Sequence, residues 1–212
     1  MVMAEATNHY FKHLGVSDGL SQVCIPSIYQ DELGAVWLGT TEGLNRYNGK
    51  DVKVFQPSES NHGLTNNEIN ELCGDKNGRM YIRSGNDLIK LDIYTEQFTC
   101  LRQKGVYGLF CKKDTLWVSC ADGIYYYTGQ GTELTFFARV QKGFVGRALY
   151  VDKETVWVVT RKYLVAISRE DPLRQEILLT LDKGNCILGD SSGNIWAVSY
   201  THLRAHETEA DL

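Results

Sequence analysis

The sequence predicts an all-β fold, a β-propeller of about five four-stranded blades of ~40 residues each. Three observations carry that reading. The motif Asp-x-x-Gly-x-x-Trp at Asp31, Gly34 and Trp37 returns as Asp75, Gly78 and Tyr81, and again as Asp190, Gly193 and Trp196. Looser copies place Asp114 ahead of Trp117 and Asp152 ahead of Trp157. The anchor aromatics stand 44, 36, 40 and 39 residues apart, and all four tryptophans of the chain fall in this register. Finally, Gly is frequent at 20, Tyr reaches 12 and Pro only three, a balance that favours strands joined by tight turns. A β-sandwich would explain many short strands but not the fixed register of the tryptophans.

Residues 1–10 read as a lead-in, and residues 11–200 as repeats. A strand around Tyr10 to Leu14 resembles the fourth strand of a blade, as Phe55 and Phe98 do in theirs. The first unit spans 20–55. Its strands are expected at Val23 to Tyr29, Val36 to Thr40, Leu44 to Tyr47 and Val52 to Phe55. Asp31 to Gly34 makes the first turn, because Asp can accept from the backbone two residues on and Gly tolerates positive φ. Thr41 to Gly43 makes the second turn, and Asn48-Gly49 is a strong hairpin signal. Later units are expected at 64–101, 105–137 and 143–181, with a truncated one at 184–200. The last turn falls at Asp92 to Glu96 in the second unit and at Thr128 to Gly131 in the third.

Three residues past each anchor stands a small residue: Thr40, Ser84, Cys120, Thr160 or Ser199. Gly43-Leu44, Asp87-Leu88, Gly123-Ile124 and Tyr163-Leu164 then open the third strands. The anchor rings are expected to pack between neighbouring blades, where a large apolar area is useful. The repeated Asp and Gly are expected to build hairpins. A functional role for those carboxylates would require a metal or a substrate, and the turn accounts for them without either. After Ser199 the repeat stops, with no third strand expected. The string from Tyr200 to Thr208 resembles translated sequencing-adapter read-through, so residues 201–212 are read as a non-native tail.

The composition narrows the function classes. A formal charge of -4 with no basic stripe gives nucleic-acid binding no electrostatic support. No apolar run reaches the ~18 residues of a membrane helix. Met1 to Thr7 lacks the features of a secretory signal, so the chain is either cytoplasmic or separated from its targeting segment. The six cysteines (Cys24, Cys73, Cys100, Cys111, Cys120 and Cys186) form no CxxC pair and have no histidine at zinc spacing. Free buried thiols are expected, with one or two disulfides open to an exported chain. Neither a metal nor a cofactor is implied.

Propellers also house enzymes, but nothing here singles out catalytic residues. The turn is similar to a sialidase-type Asp box, although Asp31 to Gly34 and Asp190 to Gly193 are each one residue longer. No carboxylate pair is marked for glycoside hydrolysis. His9, His13, His62, His202 and His206 lie in terminal or loop regions, and no nucleophile elbow occurs. Gly129-Gln130-Gly131 lacks the Gly-Lys-Ser/Thr of a phosphate loop.

The run from Phe11 through Asp18-Gly19-Leu20-Ser21-Gln22 and Gln30-Asp31 to Trp37-Leu38-Gly39-Thr40, Gly43-Leu44-Asn45-Arg46-Tyr47-Asn48-Gly49 resembles the two-component regulator propeller repeat. The likeness weakens in the third unit, which lacks the turn Gly, and in the fourth, where Tyr163 replaces the later Gly. The resemblance implies the periplasmic sensor region of a bacterial hybrid two-component system of the Bacteroides type. Such a region continues into further propeller blades, a β-sandwich, a membrane helix and a histidine kinase. On that comparison the chain is an incomplete part of a larger propeller in an inner-membrane receptor, itself not an enzyme. The implied signal is an oligosaccharide, and the implied partners are the remaining blades and signalling domains and a second copy of the parent. The alternatives are a protein-interaction scaffold and a propeller glycosidase or lyase. Arg46, Arg83, Tyr126, Arg161 and Tyr163 are the candidate ligand contacts, because aromatic rings and guanidinium groups suit sugars, acidic ones included. Each also fits plain exposed strand decoration.

Overall fold

The computed structural model describes residues 12–57, 63–129, 131–140 and 145–199, together with the backbone of 203–206. It is all-β apart from one short 3-10 turn at Val16–Asp18. Five antiparallel sheets follow in chain order, each a meander whose strands pair with their sequence neighbours. Blade 1 comprises β1 (Ser27–Gln30), β2 (Val36–Thr40), β3 (Gly43–Tyr47) and β4 (Val52–Phe55). Blade 2 comprises β5 (Ile69–Gly74), β6 (Arg79–Ser84), β7 (Asp87–Asp92) and β8 (Gln97–Arg102). Blade 3 comprises β9 (Val106–Lys112), β10 (Thr115–Cys120), β11 (Gly123–Tyr127) and β12 (Thr135–Ala138). Blade 4 comprises β13 (Gly146–Val151), β14 (Thr155–Thr160), β15 (Tyr163–Ser168) and β16 (Gln175–Thr180). Blade 5 holds β17 (Gly184–Gly189), β18 (Ile195–Ser199) and β19 (Leu203–His206).

The first strand of each blade packs beside the first strand of the next, from β1 through β5, β9 and β13 to β17. These five strands line a central channel. The chain is therefore a β-propeller arc with open ends. Alternation sets the two faces of each first strand. In β1, Ser27 faces blade 2, where its Oγ accepts from Leu72 N–H at 2.9 Å. Ile28 points the other way and is 63% exposed. In β17 the residues that meet blade 4 include Ile187, so Leu188 faces away and is 65% exposed.

The core lies in the seams between blades. Trp37 is fully buried among Leu44 and Phe55 of its own blade and Ile69, Leu72 and Ile82 of the next. Trp117 packs with Leu149, Val156 and Val165 of blade 4, and Trp157 with Ile195 and Ala197 of blade 5. The small residue three past each anchor ends the second strand in every blade. Thr40 Oγ1 donates to the Gly43 carbonyl at 2.8 Å, and Thr160 Oγ1 to the Tyr163 carbonyl at 3.1 Å, which closes the second hairpin from inside.

Four expectations need correction. The first strand of blade 1 begins at Ser27, not Val23. Val23 is exposed, and Pro26 has no N–H for a ladder. Of the strand expected at 10–14, residues 12–14 carry no strand, and 10 and 11 lie outside the described residues. A third strand does follow Ser199. β19 pairs with β18 in antiparallel register, from Val198 opposite Leu203 to Ile195 opposite His206. The free edge of β18 offers its unpaired backbone groups there. Finally, the cysteines are free but not uniformly buried: Cys24 and Cys186 are exposed.

Candidate functional site at the channel mouth

Each blade has two chemically different ends. The turn between its first and second strands holds the repeated Asp. Asp31 Oδ1 accepts from the N–H groups of Leu33 (3.0 Å) and Ala35 (2.8 Å), and Oδ2 accepts from Trp37 Nε1 at 2.8 Å. Asp152 does the same for Glu154, Thr155 and, at 2.6 Å, Trp157 Nε1. Asp190 accepts from Ser192, Asn194 and, at 3.0 Å, Trp196 Nε1. These bonds, led by that from Trp196, hold the Asp190 carboxyl down at about 2. In blade 2 the anchor is Tyr81, and Asp75 instead pairs with Arg79. Gly34, Gly78 and Gly193 take positive φ in these turns, the conformation an L side chain resists. The carboxylates of Asp31, Asp75, Asp152 and Asp190 are consumed by their own turns, whereas Asp114 of blade 3 accepts from Asn77 Nδ2 of blade 2. Among the described residues no group of His, Cys, Asp and Glu is placed to hold a metal.

The opposite end, where the first strands begin, is open and polar. A cavity of about 710 Å³ is lined there by Ser27, Asn70, Glu71, Arg83, Tyr107, Arg147 and Asn185, with contributions from all five first strands. Glu71 and Arg83 sit opposite each other on β5 and β6. Arg83 Nε donates to Glu71 Oε2 at 3.3 Å, and Leu109 N–H donates to the same oxygen at 3.1 Å. Burial raises the Glu71 carboxyl above its ordinary range, and Arg83 offsets only part of that rise. Tyr107 and Arg147 are exposed in the mouth. Both also line an adjoining cavity of about 350 Å³ with Thr160, Arg161 and Lys162. Arg83, Arg147, Tyr107 and Phe110 thus line the channel cavity, with Glu71 engaged by Arg83, while Tyr107 and Arg147 also line the adjoining cavity with Arg161 and Lys162.

The candidate residues read from the sequence separate on this geometry. Arg83 lines the channel and Arg161 the adjoining cavity. Arg46 is committed to the outer seam of blades 1 and 2. Its guanidinium lies over the Trp37 ring and pairs with Glu96 at 3.0 Å. Tyr126 packs against Trp117 in an outer cleft between blades 3 and 4. Tyr163 packs against the blade 3–4 core and gives its carbonyl to Thr160. Glu71, Tyr107, Arg147 and Asn185 were absent from the sequence reading, although a signal existed. Ser27, Glu71, Tyr107, Arg147 and Cys186 each stand ten residues ahead of an anchor aromatic, and all five line the channel.

Fold and channel together define a repeat propeller with an open central site. Residues 19–42 match the two component regulator propeller family. Over 53 residues the chain is 40% identical to histidine kinase P4 of Formosa agariphila, a match covering 25% of this chain and 4% of that protein. Two extracellular domains from B. thetaiotaomicron share the fold. That of BT3049, named a hybrid two component system, superposes with a TM-score of 0.81 at 22% identity, covering 95% of this chain and 31% of that one. That of BT4673, named a one component system, gives 0.72 at 16% identity, covering 96% of this chain and 33% of that one. The chain therefore spans about a third of each domain. Among the described residues no helix is long and apolar enough to cross a membrane.

Proposed function

We propose that this chain is part of the ligand-sensing propeller of a membrane-bound hybrid two-component receptor, placed in the periplasm, and that its ligand is an acidic oligosaccharide. The observation that carries the reading is the mouth itself, where Tyr107 and Arg147 line both the channel cavity, with Arg83, and the adjoining cavity, with Arg161 and Lys162. Guanidinium groups match carboxylate or sulfate substituents in a bidentate way, and a tyrosine ring supplies a flat face for a sugar. The family match at 19–42 supports a signalling rather than a catalytic role. Ligand binding would favour one arrangement of propellers in a receptor dimer and bias the downstream kinase by population shift.

The open ends support continuation into further blades. Leu188 and Trp196 pair across β17 and β18 and so share the face turned away from blade 4. Trp37 uses the equivalent face to bury itself against blade 2. A following blade would cover Trp196 in the same manner.

The test is titration calorimetry of the purified chain against uronate-bearing, sulfated and neutral oligosaccharides. Saturable heat with an acidic member, weakened at least tenfold by Arg147→Ala, supports the reading. No saturable binding, or binding indifferent to Arg147→Ala, removes it. Turnover of the glycan would move the assignment to an enzyme.

A further inference from the structure

β5 and β9 run side by side as the channel strands of blades 2 and 3. Two contacts fix their register. Leu109 N–H reaches Glu71, and Cys111 Sγ lies 2.9 Å from Cys73 Sγ. Both contacts join residues 38 apart, as parallel strands packed in step require. Glu71 and Cys73 share one face of β5 by alternation, and Leu109 and Cys111 share one face of β9.

The equivalent seam position holds aromatic rings elsewhere. Between blades 1 and 2 the Tyr29 ring lies against Gly74, and between blades 4 and 5 the Tyr150 ring lies against Gly189. Between blades 3 and 4, Phe110 meets Tyr150 edge-on at 5.2 Å. Only at the seam of blades 2 and 3 do two thiols meet in place of rings. Their sulfurs need to approach by about 1 Å to reach a disulfide bond of ~2 Å. No other pair of the six cysteines is in such contact among the described residues.

We propose that Cys73 and Cys111 form a disulfide that staples blade 2 to blade 3. The oxidant is a disulfide, either a small-molecule one or the disulfide form of a thiol oxidoreductase. One cysteine thiolate attacks it, breaking its S–S bond and releasing one thiol. The second cysteine thiolate then attacks the mixed disulfide and releases the other thiol. The protein loses two electrons and two protons, and the oxidant is reduced to two thiols. Burial, with the Cys111 thiol and the Glu71 carboxylate nearby, pushes the Cys73 thiol well above its ordinary range. Closure is therefore slow at neutral pH and faster as pH rises. The staple goes beyond the sensor reading and does not depend on any ligand.

The test uses the purified chain in excess oxidised glutathione at about pH 8, followed by alkylation under denaturing conditions and peptide mass spectrometry. The expected product is a linked peptide pair carrying Cys73 and Cys111, with Tm raised by about 5–10 °C over the reduced protein. Cys111→Ser should lose both the linkage and the shift. A Cys24→Ser/Cys186→Ser double variant should keep both. Alkylation of Cys73 and Cys111, a stable glutathione adduct on either, or linkage to a different cysteine overturns the proposal. If Cys111→Ser fails to fold, the linked peptide in the unaltered chain decides the question.

Discussion

Trp37 Nε1 donates to Asp31 Oδ2 at 2.8 Å, so the residue that anchors the seam of blades 1 and 2 is tied to the turn that starts its own strand. The same bond recurs from Trp157 to Asp152 and from Trp196 to Asp190. One carboxylate thus sets both the hairpin and the orientation of the ring that holds two blades together. Asp31→Ala leaves a buried indole N–H and two backbone N–H groups without their acceptor. We expect it to cost about 2–4 kcal/mol in urea denaturation. Trp37→Phe keeps much of the apolar burial and orphans less, so it should cost less than Asp31→Ala. A cost for Asp31→Ala within ~0.5 kcal/mol of zero would show that the turn does not need its acceptor.

The two carboxylates at opposite ends of the blades should respond to pH in opposite senses. Asp190 is held at about 2 in the folded chain, below its ordinary value of 3.8. Its stabilising contribution is complete above about pH 4 and is lost as pH falls towards 2. Asp190→Asn should flatten the acid limb of Tm against pH. Glu71 is raised, chiefly by burial. The unfolded chain then releases that proton first, so stability falls as pH rises from the ordinary carboxylate range up to the raised value. Glu71→Gln should remove that fall. A Tm profile unchanged in both variants would refute the assignment of either carboxyl.

Gly74 and Gly189 have no Cβ because a tyrosine ring from the preceding blade occupies the space. A Cβ at Gly74 would overlap Tyr29, and one at Gly189 would overlap Tyr150. We expect Gly189→Ala to destabilise by about 1–3 kcal/mol through overpacking. Tyr150→Leu should recover part of that loss in the double variant. Additive costs in a double-mutant cycle would show that the two residues do not share one space.

The outward face of blade 5 should make the isolated chain self-associate. Leu188 is 65% exposed, and it lies opposite Trp196 on that face. Leu188→Glu should shift light-scattering mass towards monomer with little change in Tm, because the side chain is largely exposed in the arc. A strictly monomeric parent chain would contradict this expectation.

The legible part of the structure was local. The strands Val36–Thr40 and Val52–Phe55 stand where alternation and the Asn48-Gly49 turn put them. The blade 1 entry at Val23 was misread because exposed Val and Cys imitate a strand pattern that Pro26 interrupts. β19 was missed because its sequence departs from the repeat, whereas its pairing depends on the free edge of β18. Of the candidate contacts, Arg83 and Arg161 reach the mouth, while Arg46 is drawn away by Trp37 and Glu96. Nothing local distinguishes these arginines, since each is a charged residue in or beside a strand.

The sequence by itself determined the repeat, the Asp-x-x-Gly turns and the anchor aromatics. Their physics acts across a few residues: a carboxylate caps nearby N–H groups, and a glycine accepts positive φ. Only the tertiary structure decided which side chains meet across seams. Glu71 reaches Leu109, Cys73 reaches Cys111 and Ser27 reaches Leu72 over 38, 38 and 45 residues. Those contacts depend on the rotation of one blade against the next, which is set by the combined packing of two sheets and not by any single turn. The same rotation gathers Tyr107, Arg147 and Arg161 at one mouth.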